Sequence, residues 1–268
     1  MCPQCRAFIT TDDRICPYCN TDMGLKAAER RLTADAVGGL IPHARFTTSM
    51  IILINMGFYI ATAIYSMRAS PQGSAMDLDG QTLLAFGAKF GPSIAQGQWW
   101  RLITAGYLHG GLLHIAMNMW VLFDIGTQVE QVFGTSRYLV IYTIANITGF
   151  MASTFWAPGT LSIGASAAIF GLIGAMIAFG IRDRHIGPAV RGLYIRWAIY
   201  GLIMGLLPFF AIDNAAHIGG LIGGFVVAYI AGVPSYSSAV ERIWQIVAAL
   251  AILTTLYAFA EVFLGLAK

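Results

Sequence analysis

The sequence predicts an all-α integral membrane protein with a small cysteine-rich module at its N-terminus. Hydrophobic residues make up 57% of the chain and charged residues only 11%, whereas soluble domains average about 25% charged residues. Seven apolar segments follow residue 46, and all four cysteines lie within the first 19 residues. The net charge of +3 is too small to indicate a nucleic-acid partner.

The N-terminal module, residues 1–22, contains two Cys-Pro-x-Cys sequences, formed by Cys2 with Cys5 and by Cys16 with Cys19. Four thiolates complete the tetrahedral coordination of a structural Zn²⁺ ion. Disulfides or uncoordinated thiols are the alternative, and a reduced cytosol disfavours disulfides. The pattern therefore predicts a short zinc ribbon that needs its metal to fold. Three roles are open to it: binding a cytosolic partner, regulating access to the membrane domain, or stabilising the N-terminus.

The rest of the chain begins with a polar stretch, residues 23–46, which we interpret as a juxtamembrane linker. Backbone polar groups in lipid must be satisfied internally, so each apolar segment that follows predicts a helix. Several are shorter than the roughly 20 residues of a straight span, which packing inside a bundle permits. The first two are separated by a long outside loop, residues 68–110, and long loops are often functional. The segments cover residues 47–67, 111–127, 136–156, 166–181, 192–210, 214–232 and 241–264.

The basic residues predict how the chain is oriented. With the N-terminus in the cytoplasm, twelve of the sixteen Lys and Arg residues fall on the inside and four on the outside. The positive-inside rule then predicts a cytoplasmic N-terminus and, with seven spans, a C-terminus outside. We expect an integral protein of a bacterial inner membrane, with Ser166 and His217 both near its outer face.

Ser166 and His217 are the strongest candidates for chemistry. Ser166 lies between Gly164 and Ala167 at the start of the fourth apolar segment, and His217 opens the sixth. Nucleophilic catalysis needs a hydroxyl with a base within reach, and polar groups at membrane depth are costly and usually functional. Gly220 shares a helical face with His217 and allows another helix to approach closely. A glycine packing motif with an incidental histidine is the alternative.

Four further polar residues accompany this pair. His114 and Asn118 face the same way on the second segment. Both can donate hydrogen bonds to a developing oxyanion, and one such donor contributes about 2.7–4 kcal/mol in a protease. An interhelical hydrogen-bonded pair is the alternative. No carboxylate completes a His-Glu-x-x-His pattern with His109, so no catalytic metal is expected. Asp213, one turn before His217, is predicted to cap that helix rather than to complete a triad.

Together these motifs resemble the rhomboid family of intramembrane serine proteases. Gly-x-Ser matches residues 164–166, His-x4-His-x3-Asn matches residues 109–118, and Ala-His-x2-Gly-x3-Gly matches residues 216–224. A Trp-Arg pair at residues 100–101 and a buried structural glutamate at Glu130 match as well. The resemblance covers residues from about 47 to 232.

The resemblance implies a six-helix core, residues 47–232, with residues 241–264 as an extra C-terminal transmembrane helix. It implies a Ser166–His217 dyad and an oxyanion site formed by His114, Asn118 and the backbone N–H of Ser166. An aromatic ring at the position of Phe170 packs on the catalytic histidine in relatives, although an ordinary core aromatic is the alternative here.

The implied activity is that of a serine endopeptidase without a catalytic cofactor. Its substrates would be single-pass proteins in the lipid bilayer, with easily unwound helices and a small residue at the cleavage point near the outer face. A proteolytically weak or inactive rhomboid-like protein that binds membrane clients is the alternative. A transporter is disfavoured because the sequence has no internal repeat. The chain departs from the family at Ala167, where glycine is usual, and the extra methyl group is expected to narrow the cleft or stiffen the turn.

Overall fold

The computed structural model describes residues 5, 15–21, 45–69, 74–183, 186–207, 212–235 and 237–266. The chain divides into two compact units, Met1–Phe46 and Thr47–Lys268. Within the described residues all the named elements are helices, which confirms the all-α fold class. They are α1 (Phe46–Ala69), α2 (Gly80–Ala85), α3 (Gly91–Ala95), α4 (Arg101–Thr104), a 3₁₀ turn (Ala105–Tyr107), α5 (Leu112–Trp156), α6 (Ser166–Arg182), α7 (Gly187–Met204), α8 (Asn214–Ala231) and α9 (Ser238–Leu266).

Four of these helices, α1, α5, α8 and α9, are long and apolar enough to cross a membrane, and α6 is a shorter apolar helix. The chain is therefore a membrane protein, as predicted. The 45 residues of α5 include a break at Gly134, whose φ of 71° and ψ of 165° are not helical. The exact number of spans remains a prediction.

Element α5 contains both of the segments that the sequence separates, residues 111–127 and 136–156, and its non-helical break at Gly134 lies between them. The part before this break extends past residue 127, and the polar residue Glu130 within it has partners inside the protein. The carboxylate of Glu130 is buried and accepts hydrogen bonds from the backbone N–H groups of Thr47 (2.9 Å) and Thr48 (3.0 Å) and from the Thr48 hydroxyl (2.8 Å). It therefore satisfies free N–H groups at the start of α1. Glu130 is buried and structural, as the resemblance implies.

The centre of the membrane unit is α6, which packs tightly against α8 and the second half of α5. A Cβ placed on Gly220 would lie 2.0 Å from the carbonyl oxygen of Ala167, and one on Gly224 would lie 2.1 Å from that of Gly171. The contact therefore requires glycine, as expected for close helix packing in a membrane. This packing fixes α8, which carries His217, against α6, which begins with Ser166.

The described residues between α1 and α5, 74–111, form a folded loop held by polar contacts. The buried guanidinium of Arg101 donates from Nη1 to the carbonyl oxygens of Leu84 (2.8 Å) and Ala88 (2.9 Å), and from Nε to Gln98 (2.6 Å). Asp79 caps α2 by accepting from the N–H of Thr82 at 2.8 Å. Residues 74–110 of the long predicted loop are thus an ordered part of the unit.

Helix α9 contacts the unit near both of its ends. Near its start, Glu241 forms a bidentate ion pair with the buried Arg137 of α5, at 2.6 and 2.8 Å. Near its end, the ring of Phe259 packs edge-on against Phe58 of α1 and Tyr107 of the loop, with centroid distances of 4.9 and 5.2 Å. The additional helix is therefore an integral part of this unit.

Candidate active site

Ser166 is the first residue of α6 and is half-buried. The approach to it turns at Gly164, whose φ of +118° favours glycine and whose N–H donates to the carbonyl of Ala105 at 2.9 Å. Because the first N–H groups of a helix have no intrahelical acceptor, the N–H of Ser166 is free of the helix's own hydrogen-bond pattern. An anion or a developing oxyanion at this point would meet such donors.

His217 lies in the first turn of α8 and is only 5% exposed. Its imidazole stacks on the ring of Phe170, with a centroid distance of 4.0 Å and an interplanar angle of 13°. Phe170 follows Ser166 by four residues, so both share one face of α6. The structure thus brings the imidazole of His217 over the first turns of α6. The packing of Phe170 on the histidine agrees with the resemblance rather than with an isolated core aromatic.

Asp213 caps α8, as predicted. Its carboxylate accepts hydrogen bonds from the N–H of Ala216 at 3.0 Å and from the hydroxyl of Ser153. Burial alone would raise the pKa of Asp213, but these hydrogen bonds outweigh it and lower the pKa below its usual range. Within the described residues, Nδ1 of His217 is buried without a hydrogen-bond partner. Asp213 therefore does not orient the imidazole as the acid of a triad would.

His114 and Asn118 lie one turn apart on α5, and the ring of His114 faces the loop that precedes Ser166. A Cβ placed on Gly164 would lie 2.8 Å from Nε2 of His114 and 3.8 Å from Oγ of Ser166. Nδ1 of His114 accepts from the N–H of Gly110 at 3.4 Å, which leaves the proton of a neutral ring on Nε2. The imidazole therefore presents an N–H donor beside Gly164, two residues before Ser166.

The side chain of Asn118 is buried and donates to the carbonyl oxygen of His114 at 2.9 Å. This hydrogen bond stays within α5, so it does not form the interhelical pair considered from the sequence. His109 is fully buried, and its ring lies edge-on to that of His114 at a centroid distance of 5.1 Å. It therefore supports the position of the His114 ring.

Comparison with known proteins bears on this arrangement. The model of the Rhomboid domain matches residues 96–234, about half of the chain and all of the histidines and the serine described above. The chain belongs to the rhomboid family. This confirms the resemblance that the sequence motifs indicate.

Named relatives extend the comparison. Rhomboid protease GluP of Bacillus subtilis is 43% identical over 175 residues, which are 64% of this chain and 34% of the relative. RHOMBOID-like protein 6, mitochondrial, of Arabidopsis thaliana is 38% identical over 56% of this chain and 49% of the relative. Rhomboid-like protease 3 of Toxoplasma gondii is 31% identical over 54% of this chain and 56% of the relative. The rhomboid chain thus aligns with about a third to just over half of these proteins' lengths.

The N-terminal unit brings three of the four predicted metal ligands together. The Sγ atoms of Cys5, Cys16 and Cys19 all lie within 4.8 Å of one another, and those of Cys5 and Cys16 are 3.6 Å apart. Tetrahedral zinc with Zn–S bonds of about 2.3 Å separates two sulfurs by roughly 3.8 Å, so the cluster fits such an ion. Hydrogen bonds from Thr21 lower the pKa of Cys19 to about 6. Cys2 lies outside the described residues.

Two residues near the candidate site carry no signal in the sequence. Ser153 of α5 donates to Asp213, and Lys89 of the loop is completely buried beside the segment that leads to Ser166. A lone serine in an apolar helix and a lysine in a loop are both common in sequences. Their role is not visible there, because only the tertiary fold brings their hydrogen-bond partners near them. Neither side chain belongs to a motif that spacing alone would reveal.

Proposed function

We propose that this rhomboid is a serine endopeptidase that cleaves transmembrane segments of single-pass membrane proteins near the outer face of the bilayer. The observation that carries the proposal is the stacking of His217 on Phe170, one helical turn beyond Ser166. This contact puts a buried base over the helical face that begins with a half-buried hydroxyl. Relatives named as rhomboid proteases support the reaction class.

In the proposed reaction, Oγ of Ser166 attacks the carbonyl carbon of the scissile peptide bond and His217 accepts its proton. The tetrahedral oxyanion would be held by the backbone N–H of Ser166 and by the side chains of His114 and Asn118. His217 then returns the proton to the leaving amine, and an acyl-enzyme remains on Ser166. Attack by water releases the second product and regenerates the hydroxyl.

The base works as one half of a dyad in this proposal. The carboxylate of Asp213 is already engaged by Ser153 and Ala216, and Nδ1 of His217 has no partner within the described residues. The stacked ring of Phe170 would then hold the imidazole plane instead of a third polar group. Substrate helices that unwind easily, with a small residue at the cleavage point, suit a serine so closely surrounded by helices.

The placement in the membrane is also part of the proposal. We infer a cytoplasmic N-terminus, a C-terminus outside and a bacterial inner membrane, because twelve of the sixteen Lys and Arg residues then lie inside. Ser166 and His217 would both open toward the outer face.

For the N-terminal unit we propose a structural Zn²⁺ ion held by Cys2, Cys5, Cys16 and Cys19. The close approach of three sulfurs supports it, and a thiolate cluster of this kind selects zinc. When bound, the ion would crosslink a segment too short to have a core of its own. It would take no part in the chemistry at Ser166.

Cleavage of a tagged transmembrane substrate by the purified protein in liposomes tests the proposed activity. We expect Ser166→Ala and His217→Ala each to lower the rate by about a thousandfold or more. Ser93→Ala, which removes a hydroxyl from α3, is the matched control and should cleave at the wild-type rate. Activity that survives Ser166→Ala would disprove the serine mechanism. Folded wild-type protein that cleaves none of several helix-destabilised substrates would favour a client-binding rhomboid.

A further inference from the structure

We propose that Lys89 is a positioning residue that holds the segment leading to Ser166 against the first loop and thereby sets the rate of acylation. The proposal rests on the proposed function, since it concerns the same serine. Lys89 lies between α2 and α3, and its side chain is completely buried. Lysine is almost never fully buried without partners, so its surroundings indicate what it does.

Within the described residues, the hydrogen bonds from the ammonium group all go to one segment. Nζ of Lys89 donates to the carbonyl oxygens of Ala157 (2.8 Å) and Thr160 (3.2 Å) and to the hydroxyl of Thr160 (3.4 Å). These residues follow directly on the end of α5 and precede Ser166 by six to nine positions. An ammonium group has three protons, so this one segment can use its full donor capacity.

The backbone of Lys89 binds the same segment a second time. Its N–H donates to the carbonyl of Ser162 at 3.0 Å, and its carbonyl accepts from the N–H of Ser162 at 3.1 Å. Two residues further, Gly91 donates to the carbonyl of Pro158 at 2.9 Å. Together these contacts leave only Ile163, Gly164 and Ala165 between the anchored chain and the nucleophile. A shift at the anchor would therefore be passed to Oγ of Ser166 over a very short distance.

The charge of Lys89 also reaches the helix that carries the base. Burial lowers the pKa of Lys89, whereas the carboxylate of Asp213 raises it. Asp213 caps α8 four residues before His217 and also interacts with the side chain of Ser162. The cation thus binds the approach to the nucleophile directly and attracts the carboxylate that caps the base's helix. Loss of the charge would weaken the attachment of the segment before Ser166 and the electrostatic attraction to Asp213 at the start of α8.

The test uses a fluorophosphonate, which forms a P–O bond to the serine and releases fluoride after proton transfer to the base. Inactivation is measured in detergent, well below the melting temperature of each variant, and is separated into a maximal rate and an apparent binding constant. For Lys89→Met we expect the maximal rate to fall by about tenfold or more, because misplacement of a reacting group by about 1 Å costs up to a hundredfold. The apparent binding constant should change by less than about twofold.

Arg137→Met is the matched control, since it removes another buried cation, the one that pairs with Glu241 of α9. It should lower the melting temperature and leave the maximal labelling rate unchanged. If Lys89→Met labels at the wild-type rate, or if Arg137→Met slows labelling as much, the positioning role is refuted.

Lys89→Arg keeps the test decisive if the Met variant does not fold. The planar guanidinium cannot aim three donors at the same oxygens as an ammonium group, so a fall of about threefold or more in the maximal rate is expected. A wild-type rate in a folded Lys89→Arg protein would then overturn the proposal. If the Ser166→Ala variant is labelled as fast as the wild type, the result would instead contradict the proposed function itself.

Discussion

At the scale of single residues, Ala167 shows how the chain accommodates a departure from its family. The residue is completely buried, and its methyl group lies 2.8 Å from where a Cβ on Gly149 of α5 would stand. It belongs to a small apolar cluster with Ala105, Phe150 and Ala216. The methyl group therefore packs between α6 and α5, and the missing side chain of Gly149 provides its space. This does not support the expectation from the sequence that it narrows the cleft.

We predict that Ala167→Gly changes stability more than catalysis. Loss of a buried methyl group and the greater backbone freedom of glycine should lower the free energy of unfolding by about 1–2 kcal/mol. The cleavage rate should stay within about threefold of the wild type. Thermal unfolding and cleavage measured on the same preparation check both parts, with Ala95→Gly in α3 as a control outside the cluster. A large gain in rate or in accepted substrate size would show that the methyl group obstructs the cleft.

At the scale of helices, the contact between α6 and α8 determines where the base lies relative to the serine. Carbonyl oxygens of α6 approach Gly220 and Gly224 so closely that neither position has room for a Cβ. The next contact along this interface is similar, because a Cβ on Gly174 would lie 2.2 Å from the carbonyl of Leu221. His217 is therefore held by the backbone packing of its helix more than by polar bonds to its own ring.

Gly224→Ala should consequently disturb both folding and activity. Its Cβ would lie 2.1 Å from the carbonyl oxygen and 2.4 Å from Cα of Gly171, so the two helices must separate. We expect a loss of about 1–3 kcal/mol in unfolding free energy, as for other overpacked sites, and a cleavage rate at least about tenfold lower. Gly57→Ala in α1 is the control, because a Cβ there meets no atom within 4 Å. Equal behaviour of the two variants would mean that the α6–α8 distance does not govern the site.

The sequence predicts these helices well and their ends less well. Apolar runs predict the helices because backbone groups in lipid can form hydrogen bonds only within the protein. Ser166 and His217 are identified as candidates because few polar residues occur in the apolar segments. The break of α5 at Gly134 lies between the two apolar segments that the sequence predicts there. The extension of the first part through Glu130 does not follow from the sequence, since the partners Thr47 and Thr48 are about 80 residues away. The start of α7 at Gly187 also precedes the predicted one, because its first two residues, Gly187 and Pro188, are typical of loops as well as of helix starts. The sequence indicates for Lys89 only a positive charge in the outside loop, because the hydrogen-bond partners of its side chain are brought near it by the tertiary fold.

At the scale of the whole molecule, the chain combines two compact units with separate chemistry. The residues proposed for catalysis all belong to unit Thr47–Lys268, and the cysteine cluster belongs to unit Met1–Phe46. Within the membrane unit, α9 is tied to α5 through Glu241 and Arg137. The cluster has no comparable core around it in the described residues, where Cys16 is the buried cysteine and Cys5 is exposed. We therefore expect the order of the cluster to depend on the proposed Zn²⁺ ion, whereas the order of the membrane unit should not.

We predict that purified protein contains about one zinc ion per chain, and that Cys16→Ser or a strong zinc chelator removes it. Without the ion the N-terminal unit should lose its fold, which raises its susceptibility to limited proteolysis, because the folding free energy of so small a module comes from metal binding. The rate of cleavage of a transmembrane substrate should remain within about twofold of the wild-type rate, since Ser166, His217 and their neighbours are held by helix packing alone.

Ser237→Ala, in the membrane unit, serves as the control for metal content. Wild-type protein that binds no zinc would refute the metal site. Loss of cleavage on chelation, with the membrane unit still folded, would instead show that the module regulates the protease.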